Sequence, residues 1–169
     1  MEAALQFLSN DPELQRMPVG CLGFSMGGAV ALLAAAQFHQ IGAVVTDSAY
    51  ADLPRVIART LWLSYHIPRV PFGEVVLWGV AMRLGCRLED LNPVRVVAAV
   101  APRPLLLIHG MEDKSILPTD AHVLSQAARD PKERWFVPGA EHVDSFYIDK
   151  QAYVNKIMEF FNHALLGTS

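Results

Sequence analysis

The feature that most constrains the fold of this chain is a serine set between two glycines where a strand-like segment meets a helix-like one. The segment Val19 to Phe24 is typical of a buried strand, and the residues Gly23-Phe24-Ser25-Met26-Gly27 lie at its end. The segment from Gly28 to Ala36 is apolar on nearly every side of a helix, which is typical of a helix packed beneath a sheet. The junction therefore predicts a tight strand–turn–helix unit in an α/β fold.

A serine at such a turn is a candidate nucleophile. The turn holds Ser25 in a strained backbone conformation, and its flanking glycines avoid collisions between neighbouring elements. The free N–H groups at the start of the following helix stabilise negative charge, so we predict the Met26 N–H as an oxyanion-hole donor. The alternative is a packing turn of a dinucleotide-binding type of fold.

Further strand-like and helix-like segments alternate along the chain. The predicted strands after the first are Gly42 to Thr46, Leu105 to Ile108 and Arg134 to Val137; predicted helices are Glu2 to Leu8, Thr119 to Arg129 and Ser145 to Leu166. This alternation predicts an α/β fold with a parallel sheet of about four strands and helices on both faces. Residues 50–97 interrupt the alternation, so we expect one domain over 1–169 with 50–97 as a lid-like helical insertion.

A nucleophilic serine needs a base and an acid, and the loops after the last two strands supply both. His142 follows the fourth strand and is the predicted base, because it emerges at the same sheet edge as Ser25. Asp113 follows the third strand and is the predicted carboxylate that orients the imidazole. Asp47, at the end of the second strand, is the alternative acid. The neighbouring carboxylates Glu112 and Asp120 are expected to be solvated.

The remaining histidines and cysteines indicate no metal and no cofactor. The spacing of His39, His66, His122 and His163 fits no metal site, and His109 is expected to make structural hydrogen bonds. Cys21 lies within the first strand and is expected to pack as a small hydrophobe. Because two cysteines are too few for a secreted disulfide framework, we expect a cytoplasmic protein with reduced thiols.

Charge and hydropathy exclude some classes of partner. The chain has 14 Lys and Arg against 17 Asp and Glu, without any block of like charge, which argues against nucleic-acid binding. Its longest apolar stretch, Gly27 to Ala36, is about half the length that spans a bilayer. We therefore expect no membrane-spanning segment.

Three ordered motifs resemble those of the α/β-hydrolases, in particular the esterase and dienelactone-hydrolase-like or prolyl-oligopeptidase-like branches. The matching segments are Leu22 to Gly28, Asp47-Ser48, Ala101 to Gly110 with Asp113, and Gly139-Ala140-Glu141-His142. The order serine, aspartate, histidine is the order of that fold. The resemblance implies a serine hydrolase that cleaves a carboxylic ester without a cofactor. An amide or peptide hydrolase of the same fold and a catalytically weak interaction module remain the alternatives.

The chain also departs from this family, because only one helix precedes the serine motif. Family members carry several strands before it, so the strands found here correspond to the last four of the sheet. We expect the second oxyanion-hole donor to be absent, and loss of one donor costs about 3 kcal/mol of transition-state stabilisation. An unpaired first strand is also expected to favour self-association, or to mark a fragment of a longer hydrolase. Aromatic and leucine residues in 50–97 favour an ester with an apolar group.

Overall fold

Four parallel strands form the centre of the computed structural model, which describes residues 1–167. They lie side by side in chain order, each hydrogen bonded to the next: β1 (Val19–Phe24), β2 (Ile41–Asp47), β3 (Leu105–Gly110) and β4 (Lys132–Val137). The parallel four-stranded sheet predicted from the sequence is therefore confirmed. Because parallel strands end at one edge, the residues that follow β1, β2, β3 and β4 all emerge on the same side.

Helices connect and cover the strands. They are α1 (Glu2–Asn10), α2 (Met26–Gln37), α3 (Leu53–Tyr65), α4 (Glu74–Leu84), α5 (Pro118–Ala127), α6 (Ser145–Ile148) and α7 (Lys150–Phe161). The single C-terminal helix predicted over 145–166 is divided at Asp149, whose backbone is extended and whose carboxylate accepts a hydrogen bond from the Ala152 N–H. This side chain caps α7, the extended backbone of Asp149 ends α6, and a short turn of π-type helix follows α7 over 162–166.

The sheet carries an apolar layer on each face. On one face, Leu32 of α2 and Leu124 of α5 pack with β-strand residues such as Val44 and Leu105. The layer on the other face is built by α7 against β2, β3 and β4, and includes Val45, Leu106, Ile108, Tyr153, Ile157 and Phe160. Strand β3 is buried along its whole length because both layers cover it. Helices therefore lie on both faces, as the alternation of segments predicts.

Strand β1 has a different environment from the other strands. It is hydrogen bonded to β2, and no other strand of residues 1–167 pairs with it, so its second side forms an open edge of the sheet. Leu22 and Phe24 on this strand remain 39% and 42% exposed. A strand with apolar residues and an unpaired edge is a surface suited to further pairing.

The segment 50–97 is helical, as predicted, and contains α3, α4 and short 3₁₀ turns. Helix α3 is tied to the loop after β3, since the Arg59 guanidinium donates two hydrogen bonds to the Lys114 carbonyl at 3.3 and 3.0 Å. Its aromatic side chains Trp62 and Tyr65, and Trp78 of α4, are largely exposed. Within residues 1–167, no helix is long and apolar enough to cross a membrane.

One carboxylate predicted to be solvated is buried. Asp120, in the first turn of α5, is 3% exposed and its side chain accepts a hydrogen bond from the Ala51 N–H at 3.0 Å. The prediction was wrong because the backbone after β2 is buried. The Ala51 N–H group there requires a hydrogen-bond acceptor, and the Asp120 carboxylate supplies it. This contact joins α5 to the start of the segment 50–97.

Candidate active site

The turn between β1 and α2 holds Ser25 in an unusual backbone conformation. Its φ of 50° and ψ of −119° lie in a region that side-chain-bearing residues rarely adopt. The Ser25 N–H donates to the Asp47 carbonyl at 2.8 Å, which anchors the turn to the end of β2. A side chain at Gly23 would overlap the Gly27 carbonyl, so the turn closes tightly only because glycine occupies this position. This is the strand–turn–helix geometry that the sequence predicts.

His142 lies within hydrogen-bonding distance of Ser25. Its Nε2 is 2.9 Å from the Ser25 hydroxyl oxygen, and its Nδ1 is 2.8 Å from Asp113 Oδ2. The loops after β3 and β4 are themselves joined, since the Glu112 N–H donates to the Ala140 carbonyl at 2.9 Å. The structure thus brings together all three residues predicted as nucleophile, base and acid, although 117 positions separate Ser25 from His142.

Asp113 is buried, and hydrogen-bond donors surround its carboxylate. Its Oδ1 accepts hydrogen bonds from the Ser115 and Ile116 N–H groups, each at 2.9 Å, while its Oδ2 faces His142. Burial raises the pKa of Asp113, but the hydrogen bonds from His109, His142 and the Ile116 N–H outweigh it and lower the pKa from 3.8 to about 2. The carboxylate is therefore charged at neutral pH and fixed in orientation.

His109 is a second histidine beside this carboxylate. Its Nε2 lies 3.0 Å from the Ile116 carbonyl and 3.5 Å from Asp113 Oδ2, and its ring is almost fully buried. Burial lowers the pKa of His109, whereas Asp113 and the Ile116 carbonyl raise it, with a net rise above 6.5. Among residues 1–167, no partner hydrogen bonds to its Nδ1. His109 therefore contacts the loop that carries Asp113, in agreement with the structural role expected for it.

Asp47, the alternative acid, belongs to a separate buried network. Its Oδ1 lies 3.2 Å from the hydroxyls of both Ser48 and Ser145, and its Oδ2 accepts from the Tyr153 hydroxyl at 3.0 Å. Burial raises the pKa of Asp47 despite these three hydrogen bonds. Since Asp113 occupies the position at His142 Nδ1, the geometry favours Asp113 as the orienting acid.

The remaining predictions concern the oxyanion donor, the Cys21 thiol and metal binding. Met26 is the first residue of α2, where a backbone N–H has no acceptor inside the helix, so its N–H is placed to act as a donor beside Ser25. Burial raises the pKa of the half-buried Cys21 thiol, which disfavours its nucleophilic thiolate form. Residues 1–167 contain no group of three or more His, Cys, Asp or Glu side chains arranged to hold a metal ion.

Comparison with known families and proteins gives matches across most of the chain. A family profile described as "BAAT / Acyl-CoA thioester hydrolase C terminal" matches residues 1–56, a segment that includes Ser25. The uncharacterized protein YqkD of Bacillus subtilis is 26% identical over 147 residues, which are 86% of this chain and 48% of YqkD. The uncharacterized protein Rv2307c of Mycobacterium tuberculosis is 28% identical over 166 residues, which are 98% of this chain and 52% of that protein. The chain thus spans about half the length of these curated relatives.

Solved structures of hydrolases are also similar. The esterase domain of a Rhodothermus marinus protein is 31% identical with a TM-score of 0.65, covering 93% of this chain and 63% of that domain's chain. An esterase of Pyrococcus furiosus is 20% identical with a TM-score of 0.75, covering 97% of this chain and 60% of its own. The second likeness concerns the fold alone. Together with the sheet, the matches identify the α/β-hydrolase fold.

Proposed function

We propose that this chain, which has the α/β-hydrolase fold, is a serine hydrolase that cleaves carboxylic esters through Ser25, His142 and Asp113. The observation that carries the proposal is the continuous series of hydrogen bonds from the Ser25 hydroxyl through the His142 imidazole to the Asp113 carboxylate, at 2.9 and 2.8 Å. A serine hydroxyl is a poor nucleophile without a base. In this arrangement the imidazole can accept the hydroxyl proton while the carboxylate orients the imidazole.

In the first step, Ser25 Oγ attacks the ester carbonyl carbon while its proton passes to His142 Nε2. The carbonyl oxygen becomes an oxyanion, and the Met26 N–H at the start of α2 is its proposed donor. Collapse of this intermediate breaks the bond to the alkoxy group, which leaves as the alcohol after taking the proton from His142. The product of the step is an acyl group on Ser25.

In the second step, water releases the acyl group. His142 accepts a proton from the water molecule as its oxygen attacks the acyl carbon, and then returns a proton to Ser25 Oγ as the carboxylic acid departs. Asp113 stays ionised throughout, because its pKa lies at about 2. Its negative charge orients the ring, with Nδ1 as the proton donor, and stabilises the imidazolium that forms in each step. No cofactor enters this sequence.

Two classes of substrate are proposed, namely esters with an apolar group and thioesters. Exposed Trp62, Tyr65 and Trp78 give the segment 50–97 an apolar surface, so we propose that it acts as a lid that favours an apolar acyl or alcohol group. A thioester is the second candidate, because the family profile that matches residues 1–56 is named for acyl-CoA thioester hydrolases. Both substrates follow the same two steps, with a thiol leaving in place of the alcohol.

The proposal is tested by turnover of three matched substrates with one acyl group: a nitrophenyl ester, an alkyl thioester and an anilide. We expect hydrolysis of the ester, and any thioester activity, to be lost in Ser25→Ala. The exposed Ser9→Ala serves as the control for an ordinary serine substitution. Faster cleavage of the anilide would instead identify an amide or peptide hydrolase. No turnover of any substrate by the folded protein would contradict the proposal and favour an interaction module.

A further inference from the structure

We propose that Asp47 is a positioning residue that holds the Ser25 turn and the His142 loop at a fixed separation, through its main chain on one side and its side chain on the other. This inference rests on the proposed serine-hydrolase function. It assigns a role to a buried carboxylate that the two-step mechanism does not otherwise use.

The main chain of Asp47 holds the nucleophile. Its carbonyl accepts the Ser25 N–H at 2.8 Å, and it pairs in register with Phe24 at the end of β1. Because Ser25 has a φ of 50°, its conformation persists only where the surroundings impose it. The hydrogen bond that Ser25 donates to β2 is one such constraint, so Asp47 helps to fix the position of Ser25.

The side chain of Asp47 reaches the base through one intermediate residue. Its Oδ1 lies 3.2 Å from the Ser48 hydroxyl, and the Ser48 Oγ accepts a hydrogen bond from the Val143 N–H at 3.2 Å. Val143 directly follows His142 and has a φ of 58°, which is strained for a β-branched residue. Ser48 itself has a φ of 55°. Asp47 therefore orients the hydroxyl that holds the strained backbone next to His142.

Two more hydroxyls fix the carboxylate from the other side. The Ser145 hydroxyl at the start of α6 and the Tyr153 hydroxyl of α7 lie 3.2 and 3.0 Å from its two oxygens. Asp47 has no exposed surface, and Tyr153 is 3% exposed, so this carboxylate has protein donors in place of water. The segment that follows His142 is thereby attached at two points, by Val143 to Ser48 directly after β2 and by Ser145 to Asp47 at the end of β2.

The test compares Asp47→Asn, Ser48→Ala and Tyr153→Phe with Ser125→Ala, a control that removes the hydroxyl of a buried serine on α5. Asparagine keeps the shape of aspartate but presents an amide NH₂ to one of the hydroxyl donors. Because a displacement of about 1 Å in reacting groups can cost about 100-fold in rate, we expect Asp47→Asn and Ser48→Ala to lower kcat at least about tenfold. We expect KM to stay within about twofold, since none of these residues is assigned to substrate binding.

Folding is monitored separately, by the urea midpoint of each variant. Tyr153→Phe and Ser48→Ala remove a single hydroxyl each, so they keep the test informative if Asp47→Asn does not fold. A rate constant for fluorophosphonate labelling of Ser25, normalised to the folded fraction, distinguishes altered positioning from lost structure. Labelling and kcat within about twofold of Ser125→Ala in Ser48→Ala, and in Asp47→Asn if that variant folds, would overturn the proposal.

A readout independent of turnover separates this inference from the proposed function. In wild type, the His142 Nδ1 proton shared with Asp113 should give a far-downfield proton NMR resonance, typical of a strong hydrogen bond between imidazole and carboxylate. Ser48→Ala should shift or broaden this resonance, whereas Ser125→Ala should not. If the wild type is inert but the resonance responds in this way, the positioning role holds and the hydrolase proposal fails. If the resonance is unchanged in Ser48→Ala and Asp47→Asn, the positioning role fails.

Discussion

The two glycines that flank Ser25 meet different surroundings. A Cβ at Gly23 would overlap backbone atoms of Gly27 and Gly28, whereas a Cβ at Gly27 would meet no atom within 4 Å. Gly27 lies in the first turn of α2, where alanine has the better helix propensity. The first glycine is therefore required for steric reasons, and the second is not.

This difference predicts opposite outcomes for two alanine substitutions. Gly23→Ala should lower the free energy of unfolding by about 3 kcal/mol or prevent folding, since backbone atoms cannot move aside as a flexible side chain can. Gly27→Ala should leave it unchanged or raise it by up to about 1 kcal/mol. Urea unfolding of both variants measures the difference. Equal destabilisation by the two substitutions would show that the turn is not closed as described.

Asp113 predicts a pH dependence of stability. Its pKa in the folded protein is about 2, below its ordinary value of 3.8, so the folded state binds its proton less tightly than the unfolded state does. The resulting stabilisation, about 2 kcal/mol, is present above about pH 4 and is lost as the pH falls through about 2. Asp113→Asn should abolish this component.

Urea midpoints of wild type and Asp113→Asn between pH 5 and pH 2 test this sign. The gap between the two proteins should narrow as the pH falls, while the exposed Asp130→Asn should follow wild type throughout. A gap that stays constant over this range would mean that the pKa of Asp113 is not lowered by folding.

At the scale of elements, β1 predicts self-association. Its outer edge is unpaired within residues 1–167, and Leu22 and Phe24 expose apolar surface beside that edge. We propose that two copies of the chain associate along β1, because paired edges satisfy backbone groups and bury both side chains. Leu22→Lys should shift the equilibrium towards monomer, since association would then bring like charges together.

Light scattering coupled to size-exclusion chromatography, over a range of protein concentrations, measures this effect. Leu63→Lys on α3 provides the matched control, because it introduces the same charge at another exposed leucine. A wild-type monomer at every concentration, or equal effects of the two lysine substitutions, would count against association through β1.

The elements themselves could be predicted closely from the sequence. The bounds of β1 agree with the prediction because apolar residues end sharply at the glycine–serine turn, whereas β4 begins at Lys132, two residues earlier than predicted. Lys132 and Glu133 pair with β3 through their backbones. Because their side chains are charged, an apolar pattern does not include them in the strand. The break between α6 and α7 at Asp149 depends on one capping hydrogen bond. The apolar periodicity of the sequence continues across this break and therefore does not reveal it.

At the scale of the whole molecule, the candidate site has one part that the sequence predicts and another that it does not. Ser25, Asp113 and His142 each follow a strand, so parallel topology alone places them at one edge. The partners of Asp47 at Ser145 and Tyr153 lie 98 and 106 positions away, on helices whose docking brings in their hydroxyls. No local pattern marks such residues, and a buried Asp120 is missed for the same reason.

Covalent labelling by a fluorophosphonate, with the adduct located by peptide mass mapping of the folded protein, tests whether Ser25 is a nucleophile activated by His142. We expect a single adduct on Ser25, absent in Ser25→Ala and formed at least about 100-fold more slowly in His142→Ala, because the base would be lost. Labelling at another residue, or an unchanged rate on Ser25 without His142, would contradict it.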